Sequence, residues 1–402
     1  MKRTAIFTSC AANYLPKARV LGESIRRWHD DVDVFLLLAD DLPAGGQPHV
    51  EPFAAVVTAE ELAIPSWEPW IFGHTVVEAC TAVKPFMLRR LLERGYERAL
   101  YLDPDIAVFA PLTGVLDEFD QASILLTPHQ CKADTEWEAI QDNEICSLRY
   151  GLFNLGFVGV KNDAEGRRYA DWWADRCYRA CFDEIATGIF TDQKWNDFTP
   201  IFFPRTKILT APVYNVATWN YSQRLVEGTP EHGFTVDGMP LVFHHFTGYD
   251  SGAHHVMLAK YGSRMPATRL ISDWYASRLR AAQGDLPAVR WKYASYANGE
   301  TIAPAHRKIY RSRPDVQQRF PRPFQAAPDG TPDDSYAAWL KSVALWDTFT
   351  PHTGRTMHQF LLDTEAELRG HVACSRKLRP WMKRIVTPVL GAAFTVMRYL
   401  AG

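Results

Sequence analysis

Apolar and polar positions alternate between two textures over the first 250 residues. Dense apolar runs at Thr4–Ser9, Val34–Leu38, Arg98–Leu102, Ser123–Leu126, Phe153–Val160 and Leu241–Phe246 predict strands, and Ala54–Thr58 is a weaker one. Between them, Lys17–Trp28, Val76–Arg94 and Ala164–Phe182 carry helical spacing. Val77, Phe86, Leu88 and Leu91 form the stripe of the second, and Trp172, Trp173 and Tyr178 mark the third. Of Trp172 and Trp173, adjacent in sequence, one at most faces the core of its helix, and packing against the C-terminal part is the expectation. This alternation predicts an α/β fold, a mostly parallel mixed sheet with helices on both faces. Such sheets bind ligands at the carboxyl ends of their strands.

The texture changes after about Gly262. Helical spacing over Ala267–Ala281, Ser335–Ala344 and His358–Arg369 is joined by a Pro- and Arg-rich stretch, Ala303 to Asp334, which predicts no regular structure. The expected organisation is a ligand-binding domain over residues 1–262, a helical or irregular extension over 263–374, and a tail over 375–402. In that tail Arg376, Lys377, Arg379, Lys383 and Arg384 surround Trp381, and the apolar run Ile385–Tyr399 follows. It reads as an amphipathic helix resting on an anionic membrane surface. A terminal helix packed on the body is the alternative. The start of the chain mimics a signal peptide, but its short, broken apolar run reads better as a first strand.

Composition adds limits. Apolar residues are 47% and charged residues 22% of the 402, an ordinary globular balance. A net charge of −2 argues against nucleic acid as a partner. The seven cysteines include no CxxC pair, so neither a zinc site nor a disulfide framework is indicated, and reduced thiols in a cytoplasmic protein are expected.

The strongest local signal is Ala99-Leu100-Tyr101-Leu102-Asp103-Pro104-Asp105. An apolar strand ends and two carboxylates follow, one residue apart. At a strand's carboxyl end both can reach one hard cation, which otherwise binds phosphate oxygens. A turn capped by paired carboxylates is the competing reading. Asp31-Val32-Asp33 has the same spacing without the apolar lead-in, and reads as a solvated turn.

Further segments change the balance. Leu100–Val108 (LYLDPDIAV), Phe153–Val160 (FNLGFVGV), Thr191–Asn196 (TDQKWN), Tyr214–Val216 (YNV) and His245–Gly248 (HFTG) occur in that order. Together they resemble the successive motifs of family 8 glycosyltransferases, which include glycogenin and bacterial lipopolysaccharide galactosyl- and glucosyltransferases. Thr81–Pro85 (TAVKP), Thr127–His129 (TPH) and Trp172–Trp173 are similar to a bacterial group associated with surface polysaccharide synthesis. The resemblance implies a GT-A fold, a nucleoside diphosphate sugar donor (a UDP-sugar above all), Mn²⁺ or Mg²⁺, and a retaining hexosyl transfer. It also implies a glycan or lipid-linked glycan acceptor, met in the cytoplasm or at the cytoplasmic face of the membrane.

The same resemblance assigns residues. Asp103, Asp105 and His245 match the metal ligands, and Leu102 stands beside them in the nucleotide-binding set. Asn13 and Tyr14 match the pair after the first strand, where the Tyr stacks on the base. Lys84 keeps a positive charge near the diphosphate. Asn154 and Gly156 match a strand that touches the donor sugar, and Asp192 with Gln193 matches the pair beneath the reacting sugar. Asn215 lines the same pocket, and Gly248 lets its turn approach the diphosphate. His244 is expected to point away from His245.

Departures limit the carry-over. Cys10-Ala11-Ala12 stand where the family places a carboxylate toward uracil, so the base is less fixed. The Lys expected after the HxxG turn is missing, with His254, His255 or Lys260 as replacements. His129 stands where many members carry an acidic residue for the sugar. Two other readings stay open: another metal-dependent nucleotide-sugar enzyme such as a nucleotidyltransferase, and a non-catalytic sugar-binding protein. The first would want a Gly- and Lys/Arg-rich loop after the first strand, and Ser9–Tyr14 contains no Gly.

Overall fold

A computed structural model describes residues 3–41, 52–284, 289–327 and 334–343. Contacts divide the chain into two compact units, residues 1–64 with 76–291, and residues 65–75 with 292–402.

The larger unit is built on a seven-stranded sheet. Its strands are β1 (Thr4–Cys10), β2 (Asp33–Leu38), β3 (Ala55–Thr58), β4 (Arg98–Leu102), β6 (Ile124–Pro128), β7 (Phe153–Lys161) and β8 (Thr206–Ile208). The spatial order is β8-β6-β7-β4-β1-β2-β3. β1 pairs in parallel with β2 and β4, β2 with β3, and β6 with β8; β7 runs antiparallel to both β4 and β6. The expected α/β, mostly parallel mixed sheet is what forms. β1 and β2 are almost wholly buried, as strands covered on both faces are.

This order creates the place for a site. The chain leaves β1 toward β2 and β3 on one side, and returns to β4 on the other. The carboxyl ends of β1 and β4 therefore flank a topological switch point, the usual crevice of an open α/β sheet. The register sets Phe7 beside Tyr101, so β4 runs on past that pair to Leu102 and delivers Asp103 at the edge.

Two elements differ from the sequence expectation. The long helix expected over Val76–Arg94 is two helices, Val76–Ala82 and Lys84–Glu93, with Pro85 in the first turn of the second. Proline has no N–H for a continuing ladder, and the first turn of a helix tolerates that loss. The break starts a helix at Lys84. The Pro-rich stretch is also partly regular, with helices at Pro304–Ser312 and Pro314–Arg319. Each opens on its own proline, so residues read as breakers act as starters.

Helix Ala164–Ala180 is capped by the Asp163 side chain, which accepts from Gly166 N–H at 2.9 Å. Trp173 is fully buried and stacks on Tyr169, and Trp172 lies edge-on to Phe202. All of these belong to the larger unit. Helix Pro266–Gln283 also belongs to it and packs on helix Leu15–Arg26. Cys177 and Cys181 are buried free thiols.

The smaller unit buries an aromatic cluster of Phe72, Tyr296, Tyr310, Phe320 and Tyr336. The helix expected over 358–369, the tail over 375–402 and Cys374 lie outside the described residues. Among the described residues no helix is long and apolar enough to cross a membrane.

Candidate active site

At the switch point a cavity of about 980 Å³ opens over the ends of β1, β4 and β7. Asn13, Tyr14, Lys84, Asp103, Asp105 and His129 line it. So do Asn154, Gly156, Asp192, Gln193, His245 and Gly248. Two residues of the expected set do not. Leu102 is fully buried in the hydrophobic core, and Asn215, also fully buried, reaches the site only through Asn154.

His245 comes from a short late strand, β9 (Phe243–His245). It pairs antiparallel with β5 (Ile106–Val108), which sets His245 opposite Ile106. That pairing carries the imidazole to the carboxylates. His245 Nε2 lies 3.0 Å from Asp105 Oδ1 and 3.7 Å from Asp103 Oδ2. One ligand atom from each of the three residues falls within 4.8 Å of the others. Burial alone would lower the His245 pKa, but Asp105 and then Asp103 raise it. Burial would raise that of Asp105, but His245 holds it down. Two carboxylates and one imidazole on a cavity wall make a donor set that fits a divalent cation, and the imidazole favours Mn²⁺ over Mg²⁺. Asp103, Asp105 and His245 would hold it. His244 points the other way, with Nε2 2.7 Å from the Tyr221 hydroxyl, as strand alternation requires.

Behind this group sits Lys84, 5% exposed. Its Nζ lies 3.3 Å from Asp103 and 3.6 Å from Asp192, and donates to the Leu155 carbonyl at 3.2 Å. The ammonium also lies 4.3 Å from the centroid of the Tyr101 ring. Burial opposes its charge, but Asp103 and Asp192 prevail and raise its pKa. Tyr101 in turn donates to Asp103 Oδ1 at 2.5 Å. Asp192 is 2% exposed, and burial pushes its carboxyl up to about 6 despite Lys84.

Other expected residues lie around these. Tyr14 closes the β1 side, with Lys17 Nζ 4.1 Å from its ring centroid and Lys17 paired to Asp250 at 2.6 Å. Gln193 has both ends of its amide engaged. It accepts from Leu155 N–H at 3.2 Å and donates to the Tyr150 carbonyl at 3.0 Å. Gly248 adopts φ 68°, which favours glycine. Of the three replacements for the missing Lys, His254 lines the cavity. Lys260 is held by Asp142 at 2.5 Å and Glu138 at 2.8 Å.

Sequence reasoning missed Tyr101, which joins Lys84 to Asp103, and Trp219, which lines the cavity edge-on to both His129 and His245. Tyr101 was inside the quoted motif and could have been found. Trp219 had no signal. Several buried polar atoms in this region have no hydrogen-bond partner among the described residues: His129 Nδ1, Asp192 Oδ2, Asn215 Oδ1, Trp219 Nε1 and both ring nitrogens of His254. Burial lowers the pKa of His129 to about 4 and that of His254 likewise to about 4.

No family model matches the chain. It is 30% identical to the uncharacterized Bacillus subtilis (strain 168) protein YfnF over 176 residues, 43% of this chain and 57% of YfnF. It therefore spans little more than half of that relative's length. It is 25% identical to the uncharacterized YfnD of the same strain over 248 residues, 60% of this chain and 76% of YfnD. Among solved structures it is similar to the galactosyltransferase LgtC in complex with donor and acceptor sugar analogs, with 16% identity, TM-score 0.39, and coverage of 71% of this chain and 97% of that one. Mouse xyloside xylosyltransferase 1 is similar at 16% identity and TM-score 0.36, over 61% of this chain and 98% of that one. The glycosyltransferase GlyE of Streptococcus pneumoniae TIGR4 is similar at 14% identity and TM-score 0.37, over 69% and 64%. Overlaps this loose do not assign an activity.

Proposed function

We propose that the protein is a retaining, metal-dependent glycosyltransferase of the GT-A kind. It moves a hexosyl group from a nucleoside diphosphate sugar, a UDP-sugar first, to a hydroxyl of a glycan or lipid-linked glycan. The observation that carries this reading is the convergence of Asp103, Asp105 and His245 at a strand's carboxyl end, on the wall of one large cavity. The ordered motifs around those residues support the family 8 resemblance. Surface polysaccharide or lipopolysaccharide synthesis at the cytoplasmic face of the membrane is the setting that resemblance suggests.

In the reaction, the bond between the sugar's anomeric carbon and the diphosphate breaks, and a bond to the acceptor oxygen forms on the same face. The acceptor's proton passes to the departing phosphate. A divalent cation held by Asp103, Asp105 and His245 supplies a Lewis acid for the charge that builds on the diphosphate. The base stacks on Tyr14, and Gly248 lets the turn backbone approach the phosphates. Lys84 acts at one remove from the diphosphate, because its ammonium is already engaged by Asp103, Asp192 and Leu155. It fixes both carboxylates. Asp192 faces the cationic sugar centre as a fixed negative charge. Gln193, tied to the backbone at both ends, sets the floor beneath that centre. His129 stands toward the sugar.

The test is a screen of nucleotide sugars for Mn²⁺-dependent thermal stabilisation and slow hydrolysis. One donor should stabilise the protein only with metal. Asp103→Asn should lower its hydrolysis by about 10²–10³-fold, the scale of removing one electrostatic stabiliser of a transition state. No response to any donor in the presence of Mn²⁺ would sink the transferase reading.

A further inference from the structure

We infer that Asn154 is a positioning residue that fixes the His245 ring for metal binding. This rests on the reading of Asp103, Asp105 and His245 as a metal site.

The argument begins with which way the Asn154 amide points. Its Oδ1 receives three donors: Gly156 N–H at 3.2 Å, Asn215 Nδ2 at 3.3 Å and His245 Nδ1 at 3.1 Å. A backbone N–H can only donate, so the Gly156 contact requires an oxygen at that position. The amide cannot be turned round without setting its NH₂ against that N–H. The other end then has to be the NH₂, which donates to His129 Nε2 at 3.3 Å. With three donors converging on it, Oδ1 is fully engaged within the protein. The residue is 8% exposed, so most of its surface is already covered.

The oxygen decides the state of the histidine. Because Oδ1 only accepts, His245 Nδ1 must carry a proton. In the neutral ring the lone pair is then on Nε2, the nitrogen that faces Asp105 at 3.0 Å and Asp103 at 3.7 Å. A metal-binding histidine typically has its second nitrogen held in this way by an oxygen acceptor, which sets both tautomer and ring plane. The ring plane is walled as well. A Cβ at Gly156 would stand 2.5 Å from His245 Cε1, and Trp219 meets the ring edge-on with centroids 5.3 Å apart. Gly156 is thus explained by the room the ring needs, and Asn154 by the proton the ring must keep. Asn215 supports the arrangement from behind. It is buried, adopts φ 49°, and its carbonyl accepts from Asn220 Nδ2 at 3.0 Å, which fixes the loop that aims its amide at Asn154.

Full-length wild type, Asn154→Leu and Asn154→Asp test this by Mn²⁺ titration, alone and with UDP, followed by electron paramagnetic resonance. Wild type should bind Mn²⁺ and show nitrogen modulation from a bound imidazole. Asn154→Leu should bind Mn²⁺ about 10–100-fold more weakly, the usual effect of losing such a partner, and lose the nitrogen signal. Asn154→Asp keeps an oxygen for Nδ1–H and should restore both. His129 can follow that change by moving its proton, since its Nδ1 has no partner among the described residues. Wild-type-like Mn²⁺ affinity and nitrogen signal in Asn154→Leu, with weakened donor binding instead, would overturn the inference in favour of sugar contact. Should that variant not fold, histidine ¹⁵N spectra of the Mg²⁺-loaded wild type decide. His245 Nδ1 must be protonated, and an unprotonated Nδ1 overturns the inference. Wild type that binds no Mn²⁺ under either condition would instead remove the metal site itself, a distinguishable failure.

Discussion

Lys84 and Arg307 are both buried cations, 5% and 3% exposed, yet their hydrogen bonds and ion pairs differ in kind. Arg307, in the smaller unit, donates to the carbonyls of Phe72, at 3.0 Å, and Tyr293, and its guanidinium lies over the Phe72 ring. Nearby hydroxyls close their bonds in the same manner. Tyr310 donates to the Phe320 carbonyl at 2.8 Å, and Tyr336 to that of His306 at 2.6 Å. Lys84 is held by two carboxylates, and one of them, Asp192, keeps an oxygen with no hydrogen-bond donor among the described residues. A region that only has to hold itself together can close its buried polar groups on its own backbone and side chains. A region that awaits a ligand leaves charge concentrated and polar atoms unmet, at a cost in stability that ligand binding can offset.

The comparison breaks most readily at Lys84. Lys84→Met should lower stability in urea denaturation by about 3–5 kcal/mol, because it strands the buried carboxylate of Asp192 and the partly buried one of Asp103. It should also abolish Mn²⁺-dependent nucleotide binding. A stable variant that still binds would show that the carboxylates do not depend on the ammonium. Arg307→Met should cost about 2–3 kcal/mol, the penalty for buried carbonyls left without donors. Donor hydrolysis per folded molecule should stay unchanged. Lost hydrolysis in fully folded Arg307→Met would erase the distinction between the two regions.

The effect that is smallest at neutral pH sharpens the contrast on acidification. His254 has a folded pKa of about 4, below the ordinary 6.5, because burial disfavours its charge. The unfolded chain therefore binds the extra proton first as pH falls. Stability is complete above about 6.5 and is lost on acidification toward about 4, by up to about 3 kcal/mol. His254→Phe removes that loss. The variant should match wild type to within about 1 kcal/mol at pH 7, a typical volume-conserving core change, and be the more stable of the two at pH 4.5. Parallel pH profiles would mean that the ring is partnered or solvated after all.

Much of the fold was legible because it depends on local pattern. Apolar runs gave β1, β2, β4, β6 and β7 to within a few residues, and the carboxylate pair stood where β4 ends. What stayed hidden depends on partners distant in sequence. β5 is three residues, too short to show a period, and although a strand was expected over Leu241–Phe246, no local pattern pairs that strand with β5, the pairing that brings His245 to Asp105. Prolines were misread in both directions. Pro85 divides a helix whose apolar stripe looked continuous, while Pro304 and Pro314 begin helices in a stretch that looked irregular. The pattern tells where a proline is, and only the chain direction chosen by packing tells whether it ends or begins an element.

By itself, then, the sequence determined the kinds of element, their order, and the chemical groups at the ends of β4 and β9. Side-chain period and donor–acceptor inventory are properties of single residues and their near neighbours. The tertiary structure decided what those groups do to one another. It turned Lys84 from a free cation near a diphosphate into the counter-ion of Asp103 and Asp192. It put Leu102 in the core, and made Asn154 the hinge between His129 and His245. Charge pairing and hydrogen bonding act over a few ångströms, and strand pairing is what places residues far apart in the chain within that range.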